Sequence, residues 1–389
     1  MTDWAYLDWN ATAPLRPVAR EAIRAALALT GNPSSVHQEG RAARRVIELA
    51  RADVATLVGA DPRNVVFTSG GTEANALALS PAIEIAGDKA PRERLLVSAI
   101  EHPSVLAGGR FARDAIASIG VDPDGIVDLG ALERELAKGQ RALVSVMLAN
   151  NETGVLQPIA TAAEIVHRHG GLLHVDAVQA AGRIPIDINA LGADLLTLSA
   201  HKLGGPKGVG ALIRRDEAIH LADPLIRGGG QERGSRAGTE NVSGIMGFGA
   251  AAVAARAGLV AERDHMLTLR ERLETGLRVT TPDAVIFGAK AERLPNTTLV
   301  ALRGLKAETL VIAFDLEGVA LSSGAACSSG KVAPSHVLAA MGVEPALARG
   351  AIRVSLGQTT TAAEIDLSLG IWRKLVESLS VKEKRGLAA

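Results

Sequence analysis

The stretch ADLLTLSAHKLGGPKGVG (193–210) joins an apolar run to a polar, glycine-rich turn at Ser199, His201 and Lys202. Similar apolar runs precede and follow it: NVVFTS (64–69), RLLVSAI (94–100), ALVSVML (142–148), GLLHVDA (171–177) and GVGALIRR (208–215). Continuous apolar strands predict a mostly parallel sheet that is buried on both faces, with segments such as 40–58 and 158–170 as covering helices. We therefore expect an α/β fold whose functional groups collect at the carboxyl ends of the strands.

The pattern changes after about residue 260. A charged helix (262–278), a strand-like run PNTTLVAL (295–302), a helix near 306–317 and a strand-like run AIRVSLG (351–357) precede a terminal helix. A chain of 389 residues also exceeds the size at which single hydrophobic cores stop growing. We predict a large domain over residues 16–260 and a smaller α+β domain formed by residues 1–15 with 261–389.

The composition favours a protein that acts on small molecules. Lys plus Arg and Asp plus Glu number 42 each, so no net charge draws the chain to nucleic acid or to anionic membranes. The N-terminus MTDWAYLDWN lacks a basic region and an apolar signal core, and no run of about 18 uninterrupted apolar residues occurs. The single cysteine, Cys327, excludes an internal disulfide and a metal site with several cysteine ligands. We expect a cytoplasmic protein with neither a nucleic-acid nor a membrane partner.

Two polar residues at strand ends point to pyridoxal phosphate. A desolvated lysine such as Lys202 is the nucleophile that a Schiff base needs, and a buried carboxylate such as Asp176 would keep the cofactor's pyridine nitrogen protonated. Gln179 follows Asp176 by three residues. Two ordinary alternatives stay open: Lys202 could extend to solvent from a strand end, and Asp176 could cap the next helix.

The segment NVVFTSGGTEANALAL (64–79) reads as a strand, a Ser-Gly-Gly-Thr turn and a helix. Glycines such as Gly71 let the backbone approach an anion, and the helix N-terminus offers free N–H groups. A phosphate cradle is the functional interpretation, although any junction of a strand and a helix can use Ser and Gly. The segment has neither the P-loop lysine spacing nor the three-glycine dinucleotide pattern, which disfavours ATP and NAD.

Three further residues carry candidate roles. Cys327 lies among Ser, Gly and Ala in VALSSGAACSSGKVAPSHV (319–337), which predicts an accessible thiol rather than a packed one. His102, after a strand, could stack on a cofactor ring and carry protons, and Arg353 could bind a carboxylate. The alternatives are an unreactive thiol, a structural histidine and a structural ion pair. Further candidate site residues, to which the sequence pattern alone assigns no role, are Asn150 and Asn151 in ANNETG and Thr239 in RAGTEN.

Together these segments resemble the cysteine desulfurases of the bacterial iron–sulfur and nitrogenase (NifS/IscS) type, class V members of the fold type I pyridoxal phosphate enzymes. The resemblance runs nearly end to end. It is carried by YLDWNATAP (6–14), GNPSSVH (31–37), FTSGGTEANALA (67–78), EHPSVL (101–106), NNETGVLQPI (150–159), HVDAVQ (174–179), SAHKLGGPKGVG (199–210), GGGQERGSRAGTEN (228–241), SSGAACSSG (322–330) and IRVSLG (352–357).

The resemblance implies a role for each candidate residue. Lys202 would carry the cofactor as an internal aldimine, Asp176 would face its pyridine nitrogen and His102 would stack on its ring. The cofactor's phenolic oxygen would contact Gln179 and Asn151. Its phosphate would contact Gly71, Thr72, Ser199 and His201, and also Thr239 from the other subunit of a homodimer. The substrate would contact Asn151 and Arg353.

The implied reaction takes sulfur from L-cysteine. Lys202, freed by the substrate, would remove the Cα proton, His102 would carry a proton at the substrate thiol, and the Cys327 thiolate would attack the substrate sulfur. L-alanine would leave, and a Cys327 persulfide would be passed to a scaffold or another sulfur acceptor for iron–sulfur cluster assembly. No resident metal is expected, although Cys327 could transiently share a cluster with a scaffold partner.

The chain departs from the family pattern at Ala13, Ala200, Gly204 and Ala325, none of which is an implied catalytic position. Its tail after IRVSLG is shorter than in members whose C-terminal extension docks the scaffold, which leaves the scaffold's identity open. Two rival functions also stay open. A selenocysteine lyase or β-eliminating lyase would not need Cys327, and a non-catalytic assembly subunit would leave Lys202 unexplained.

Overall fold

The apolar runs of the sequence form the strands of one seven-stranded sheet in the computed structural model of the chain, which describes residues 4–85, 88–324 and 334–386, with side chains up to 378. The strands of the described residues, both inside and outside this sheet, are Ala5–Tyr6 (β1), Val65–Thr68 (β2), Ile83–Ile85 (β3), Arg94–Ser98 (β4), Ile116–Ile119 (β5), Ala142–Ser145 (β6), Leu172–Asp176 (β7), Leu195–Ser199 (β8), Gly210–Arg214 (β9), Ile219–Leu221 (β10), Val285–Ile286 (β11), Thr297–Ala301 (β12), Val319–Ala320 (β13), Ser322–Ser323 (β14) and Ile352–Ser355 (β15).

Helices cover the strands and connect them. They are Pro17–Leu27 (α1), Gln38–Leu57 (α2), Gly71–Ala78 (α3), Pro103–Leu106 (α4), Leu129–Leu136 (α5), Ile159–Arg168 (α6), Ile188–Leu191 (α7), Val242–Thr280 (α8), Ala307–Leu316 (α9), His336–Ala340 (α10), Pro345–Ala348 (α11) and Ala362–Gly386 (α12). Short 3₁₀ turns lie at Pro62–Asn64, Arg113–Ala115, Ala200–Lys202 and Gln231–Gly234.

The large sheet has the strand order β2-β9-β8-β7-β6-β4-β5. Strand β9 runs antiparallel to both of its neighbours, and the other pairs are parallel. Successive residues pack on opposite faces, as the alternation of side chains along a strand requires: Leu195 belongs to one core cluster and Leu196 to another. Both faces are therefore buried, which confirms the predicted α/β sheet.

A second core lies under a four-stranded antiparallel sheet with the order β11-β12-β15-β14. Its buried residues include Leu7 and the C-terminal side chains Leu273, Phe314 and Trp372. Helix α8 contributes to this core and also to the core of the large sheet, where Phe248 lies. The predicted domain boundary at residues 260–261 thus falls inside a helix.

Helix α8 is longer than the sequence predicted. The expected helix over 262–278 is only its second half, because the Gly- and Ala-rich segment from Val242 onward continues the same helix. The small residues let α8 pack closely: a Cβ on Gly249 would lie 2.7 Å from the Ala50 Cα of α2. By length and hydropathy α8 could span a membrane, although 44% of its apolar window is buried in the molecule, and core helices of soluble proteins meet the same criterion.

Candidate active site

One cavity of about 220 Å³ opens where β4, β6, β7 and β8 end and α3 begins. Parallel strands bring their carboxyl ends to one edge of a sheet, so residues far apart in sequence meet there. Nine of the ten predicted cofactor residues line this cavity: Gly71, Thr72, His102, Asn151, Asp176, Gln179, Ser199, His201 and Lys202. The fold therefore brings together the residues that the sequence indicated separately.

Lys202 lies in the 3₁₀ turn that follows β8, with its amine inside the cavity wall. Its Nζ donates hydrogen bonds to the carbonyl oxygens of Asn10 at 2.5 Å and Ala11 at 2.8 Å. Burial, together with the positive charges of Arg353 and Arg183, lowers the pKa of Lys202 to about 7. A large fraction of the amine is neutral near pH 7, and a neutral amine can attack a carbonyl group.

Asp176 ends β7 and is buried, with only 6% of its surface exposed. Its Oδ2 accepts a hydrogen bond from Asn75 Nδ2 at 2.8 Å, and its Oδ1 accepts one from the backbone N–H of Val178 at 3.0 Å. These donors fix the carboxylate at the cavity wall. The second bond matches the helix-capping geometry that the sequence left open for Asp176, although residues 178–180 form a turn rather than a helix.

His102 caps the short helix α4, and its ring lines the cavity. The backbone N–H of Ser104 donates to His102 Nδ1 at 3.1 Å, and the Ser104 hydroxyl lies 2.7 Å from the same nitrogen. Burial lowers the pKa of the imidazole. Since Nδ1 acts as an acceptor, the neutral ring carries its proton on Nε2.

The start of α3 has the geometry of an anion cradle. A Cβ on Gly71 would lie 3.1 Å from Val178 Cγ2 and 3.4 Å from Ser199 Cβ, so a glycine lets the backbone come close to this wall. The first N–H groups of α3 lie beside Thr72 and Ser199 and have no partners within the helix. Burial lowers the pKa of His201 to about 4, so that the imidazole is neutral at pH 7.

Arg353 lies on β15 at the edge of the site rather than in the cavity wall. Its Nη1 donates to the Asn151 carbonyl oxygen at 2.9 Å, and its Nη2 forms an ion pair with Asp8 Oδ1 at 2.8 Å. The ion pair that the sequence left open as an alternative is therefore present. The Arg353 Nε is buried and has no hydrogen-bond partner among the described residues, which leaves a donor for a further acceptor.

The remaining predicted residues are Thr239 and Cys327. Thr239 is exposed and lines a separate pocket with Ser69 and Arg236, so a single chain does not bring it to Lys202. Cys327 lies outside the described residues, in 325–333, and its accessibility stays a prediction.

Glu152 connects the described residues on either side of 325–333. It is 1% exposed, its Oε2 accepts a hydrogen bond from Ser335 Oγ at 2.6 Å, and a Cβ on Gly324 would lie 3.5 Å from the same oxygen. Burial raises the pKa of Glu152 to about 7. Glu152 also follows Asn151 of the cavity wall, so one buried carboxyl joins the cavity to both ends of the cysteine-bearing segment.

Glu152→Gln is expected to remove a pH dependence of stability. A carboxyl whose pKa rises on folding stabilises the fold below its unfolded pKa, and this contribution is lost as pH rises through about 7. From pH 5 to pH 8 the free energy of unfolding of the wild type should fall relative to that of Glu152→Gln by on the order of 2 kcal/mol. Urea unfolding at one protein concentration measures this difference, and the exposed Glu164→Gln serves as the control. Parallel pH profiles for wild type and Glu152→Gln would contradict the expectation.

Several site residues were missed in the sequence. Asn75 donates to both Asp176 Oδ2 and Ser104 Oγ, and its position three residues after Thr72, on the same face of α3, was the available signal. His174 lies two residues before Asp176 on the same face of β7 and hydrogen bonds to Ser145 and Thr197. Burial lowers its pKa to about 4. Only the three-dimensional packing shows these partners.

The donor set fits pyridoxal phosphate. The cavity holds an amine with a lowered pKa for the aldehyde, a buried carboxylate for the pyridine nitrogen and a helix N-terminus for the phosphate. A side chain at Gly71 would crowd Val178 and Ser199, so a glycine keeps the backbone at this wall open to a ligand.

Comparisons with known proteins agree with this site. The class-V aminotransferase family model matches residues 5–367. A cysteine desulfurase of Cereibacter sphaeroides is 46% identical over 382 residues, covering 96% of each chain. The crystal structure of a NifS-like protein from Rickettsia africae has a TM-score of 0.85 at 37% identity, with coverage of 96% of this chain and 99% of that one. A structure of SspA in complex with cysteine has a TM-score of 0.75 at 29% identity, with coverage of 92% and 100%. The chain belongs to the class-V aminotransferase family of pyridoxal phosphate enzymes, among the cysteine desulfurases.

Proposed function

We propose that this chain removes sulfur from L-cysteine, releasing L-alanine and leaving a persulfide on Cys327. The observation that carries the proposal is a single cavity that is lined by the Lys202 amine, with its pKa lowered to about 7, and by the buried Asp176 carboxylate. Asp176 ends β7, and Lys202 lies in the turn after the neighbouring strand β8. The relatives named as cysteine desulfurases and the SspA complex with cysteine support the choice of substrate.

Lys202 holds the cofactor and then acts as the base. Pyridoxal phosphate, when bound, supplies the electron sink that makes the Cα proton of an amino acid acidic. The amine of Lys202 would take up that proton, and its lowered pKa leaves a large fraction of it neutral and able to do so near pH 7. Asp176, fixed by Asn75 and Val178, would hold the cofactor at its pyridine nitrogen and keep that nitrogen protonated.

The neighbouring residues orient the cofactor and the substrate. His102 would lie against the cofactor ring and would carry a proton through Nε2, because its Nδ1 is occupied by Ser104. The phosphate would be held by Gly71, Thr72, Ser199 and His201, and the phenolic oxygen would be bound by Gln179 with Asn151. Arg353, presented by β15 beside Asn151, binds the substrate carboxylate, with the buried Nε as its available donor.

Cys327 receives the sulfur. Its thiolate attacks the substrate sulfur, a sulfur–sulfur bond forms as the carbon–sulfur bond breaks, and the carbon fragment takes up protons and leaves as L-alanine. The persulfide then passes to an acceptor protein for iron–sulfur cluster assembly. We further propose a cytoplasmic homodimer in which Thr239 of each chain completes the phosphate site of the other, since Thr239 is exposed and does not line the cavity of its own chain.

The experiment is the incubation of purified holoenzyme with L-cysteine. The proposal expects alanine and a persulfide at Cys327 in equal amounts in a single turnover without an added thiol. Quantitative amino-acid analysis measures the alanine, and mass spectrometry of the alkylated Cys327 peptide measures the persulfide. Pyruvate and ammonia in place of alanine would show elimination chemistry and would overturn the proposal.

A further inference from the structure

Among the residues that the structure describes, Arg183 is a buried cation without a carboxylate partner. It lies seven residues after Asp176, and only 5% of its surface is exposed. Its Nη1 donates to the backbone oxygen of Gln179 at 2.8 Å and to the side-chain Oε1 of Gln179 at 2.6 Å, and its Nη2 donates to the Trp9 carbonyl oxygen at 3.3 Å. All three partners are neutral acceptors. Within residues 4–85, 88–324 and 334–386, no carboxylate lies at ion-pair distance from Arg183.

Such a cation is costly to bury. An arginine removed from water is normally paired with a carboxylate or a phosphate, since the desolvation penalty is several kcal/mol per ion. Burial, with a further contribution from Arg353, lowers the pKa of Arg183 to about 9, which leaves the guanidinium charged near pH 7. Arg183 also lowers the pKa of Lys202, so its charge acts on the cavity. The positive potential at this wall favours an anionic group on a bound molecule.

Arg183 also fixes the orientation of the Gln179 side-chain amide. Gln179 lines the cavity, and its Nε2 donates to the Asn10 carbonyl oxygen at 3.0 Å. If the amide were reversed, its NH₂ group would face the Arg183 guanidinium and its oxygen would face a carbonyl oxygen, so that neither contact could be a hydrogen bond. The observed orientation leaves the second N–H of Nε2 for an acceptor in the cavity.

We propose that Arg183 is a positioning residue that holds the Gln179 amide by its oxygen, so that Gln179 donates to the anionic phenolic oxygen of the cofactor. Arg183 itself does not line the cavity and acts through Gln179. The inference rests on the proposed function, because it requires the cofactor. The alternative is a purely structural Arg183 that ties the segment after β7 to the Trp9 carbonyl oxygen, which would affect stability alone.

A double-mutant cycle on the holoenzyme separates the two roles. The variants are Arg183→Met, Gln179→Ala and both together, and the readout is the pH titration of the bound cofactor's visible absorbance. Loss of the hydrogen bond from Gln179 makes the phenolic oxygen more basic, so each single variant should raise the pKa of the bound cofactor's chromophore by about one, the equivalent of one charge-assisted hydrogen bond. The Arg183 charge also acts on the cavity directly, but the part of its effect that passes through Gln179 is absent from the double variant, so the two single effects should not add in full.

Arg183→Lys keeps the charge but loses the forked contact, and it should raise this pKa by less than Arg183→Met does. Arg92→Met is the matched control, since Arg92 is equally buried but pairs with Asp88 away from the cavity. An unchanged chromophore pKa in Arg183→Met, or effects of the two single variants that add in full, would overturn the proposal. If Arg183→Met does not fold, the same cycle is run with Arg183→Lys and the same criterion applies. A wild-type protein without visible cofactor absorbance would instead refute the proposed function.

Discussion

Lys202→Ala is expected to lose covalent cofactor attachment and to release alanine from L-cysteine at least about 10³-fold more slowly than the wild type. The loss should be large because one amine both anchors the cofactor and takes up the substrate proton. The other cavity residues, Asp176 and Gly71 among them, are unchanged in this variant, so the cofactor should still bind without a covalent bond. Steady-state alanine release measures the rate, and the cofactor absorbance that stays with the protein after borohydride reduction and gel filtration under denaturing conditions measures covalent attachment.

Lys290→Ala is the matched control for this experiment, because Lys290 is exposed on the loop before β12 and touches neither the cavity nor its walls. It should keep the spectrum and the rate of the wild type. A Lys202→Ala protein that still carried a covalently bound cofactor, or that kept more than a tenth of the wild-type rate, would show that another amine performs this role.

Cys327→Ser should lower alanine release from L-cysteine by about 10³-fold or more, the size of loss that follows removal of a nucleophile. A serine hydroxyl is neither ionised near pH 7 nor reactive toward sulfur, so the carbon–sulfur bond has no acceptor for its sulfur. The cofactor spectrum and the spectral change on adding L-cysteine should persist, because Lys202 and Asp176 are intact. Stopped-flow absorbance and alanine analysis separate the two steps.

The same variant decides between the proposed function and its rival. A selenocysteine lyase or a β-eliminating lyase would keep its rate in Cys327→Ser, since its chemistry does not require a protein thiol. If Cys327→Ser formed alanine or pyruvate at the wild-type rate, Cys327 would have no part in the mechanism. The assignments of the fold and of the cofactor site would be unaffected.

Much of the site could be predicted from the sequence because its main residues lie at the ends of strands. Asp176 is the last residue of β7 and Lys202 lies three residues after the end of β8, and parallel strands must end at the same edge of the sheet. The Ser-Gly-Gly-Thr turn that leads into α3 is similarly local, and it lies at that same edge because β2 and β8 are both antiparallel to β9 and so run in the same direction. Local chemistry together with one topological rule therefore predicted the cavity.

The partners of these residues could not be predicted in this way. The contact of Arg183 with Trp9 and that of Glu152 with Ser335 join residues more than 170 positions apart, and no spacing rule connects such pairs. The ion pair of Arg353 with Asp8 spans 345 positions and depends on the first residues of the chain returning to β15. The extension of α8 was missed for another reason: glycines in its first half suggest a loop, and tertiary packing overrides that propensity.

The most direct measurement is mass spectrometry of the borohydride-reduced, proteolysed holoenzyme. We expect a single phosphopyridoxyl adduct, on Lys202, because this amine is held in the cavity with its pKa lowered to about 7. An adduct on a different lysine, or an unmodified Lys202 in a protein purified with pyridoxal phosphate, would contradict the claim that this residue binds the cofactor.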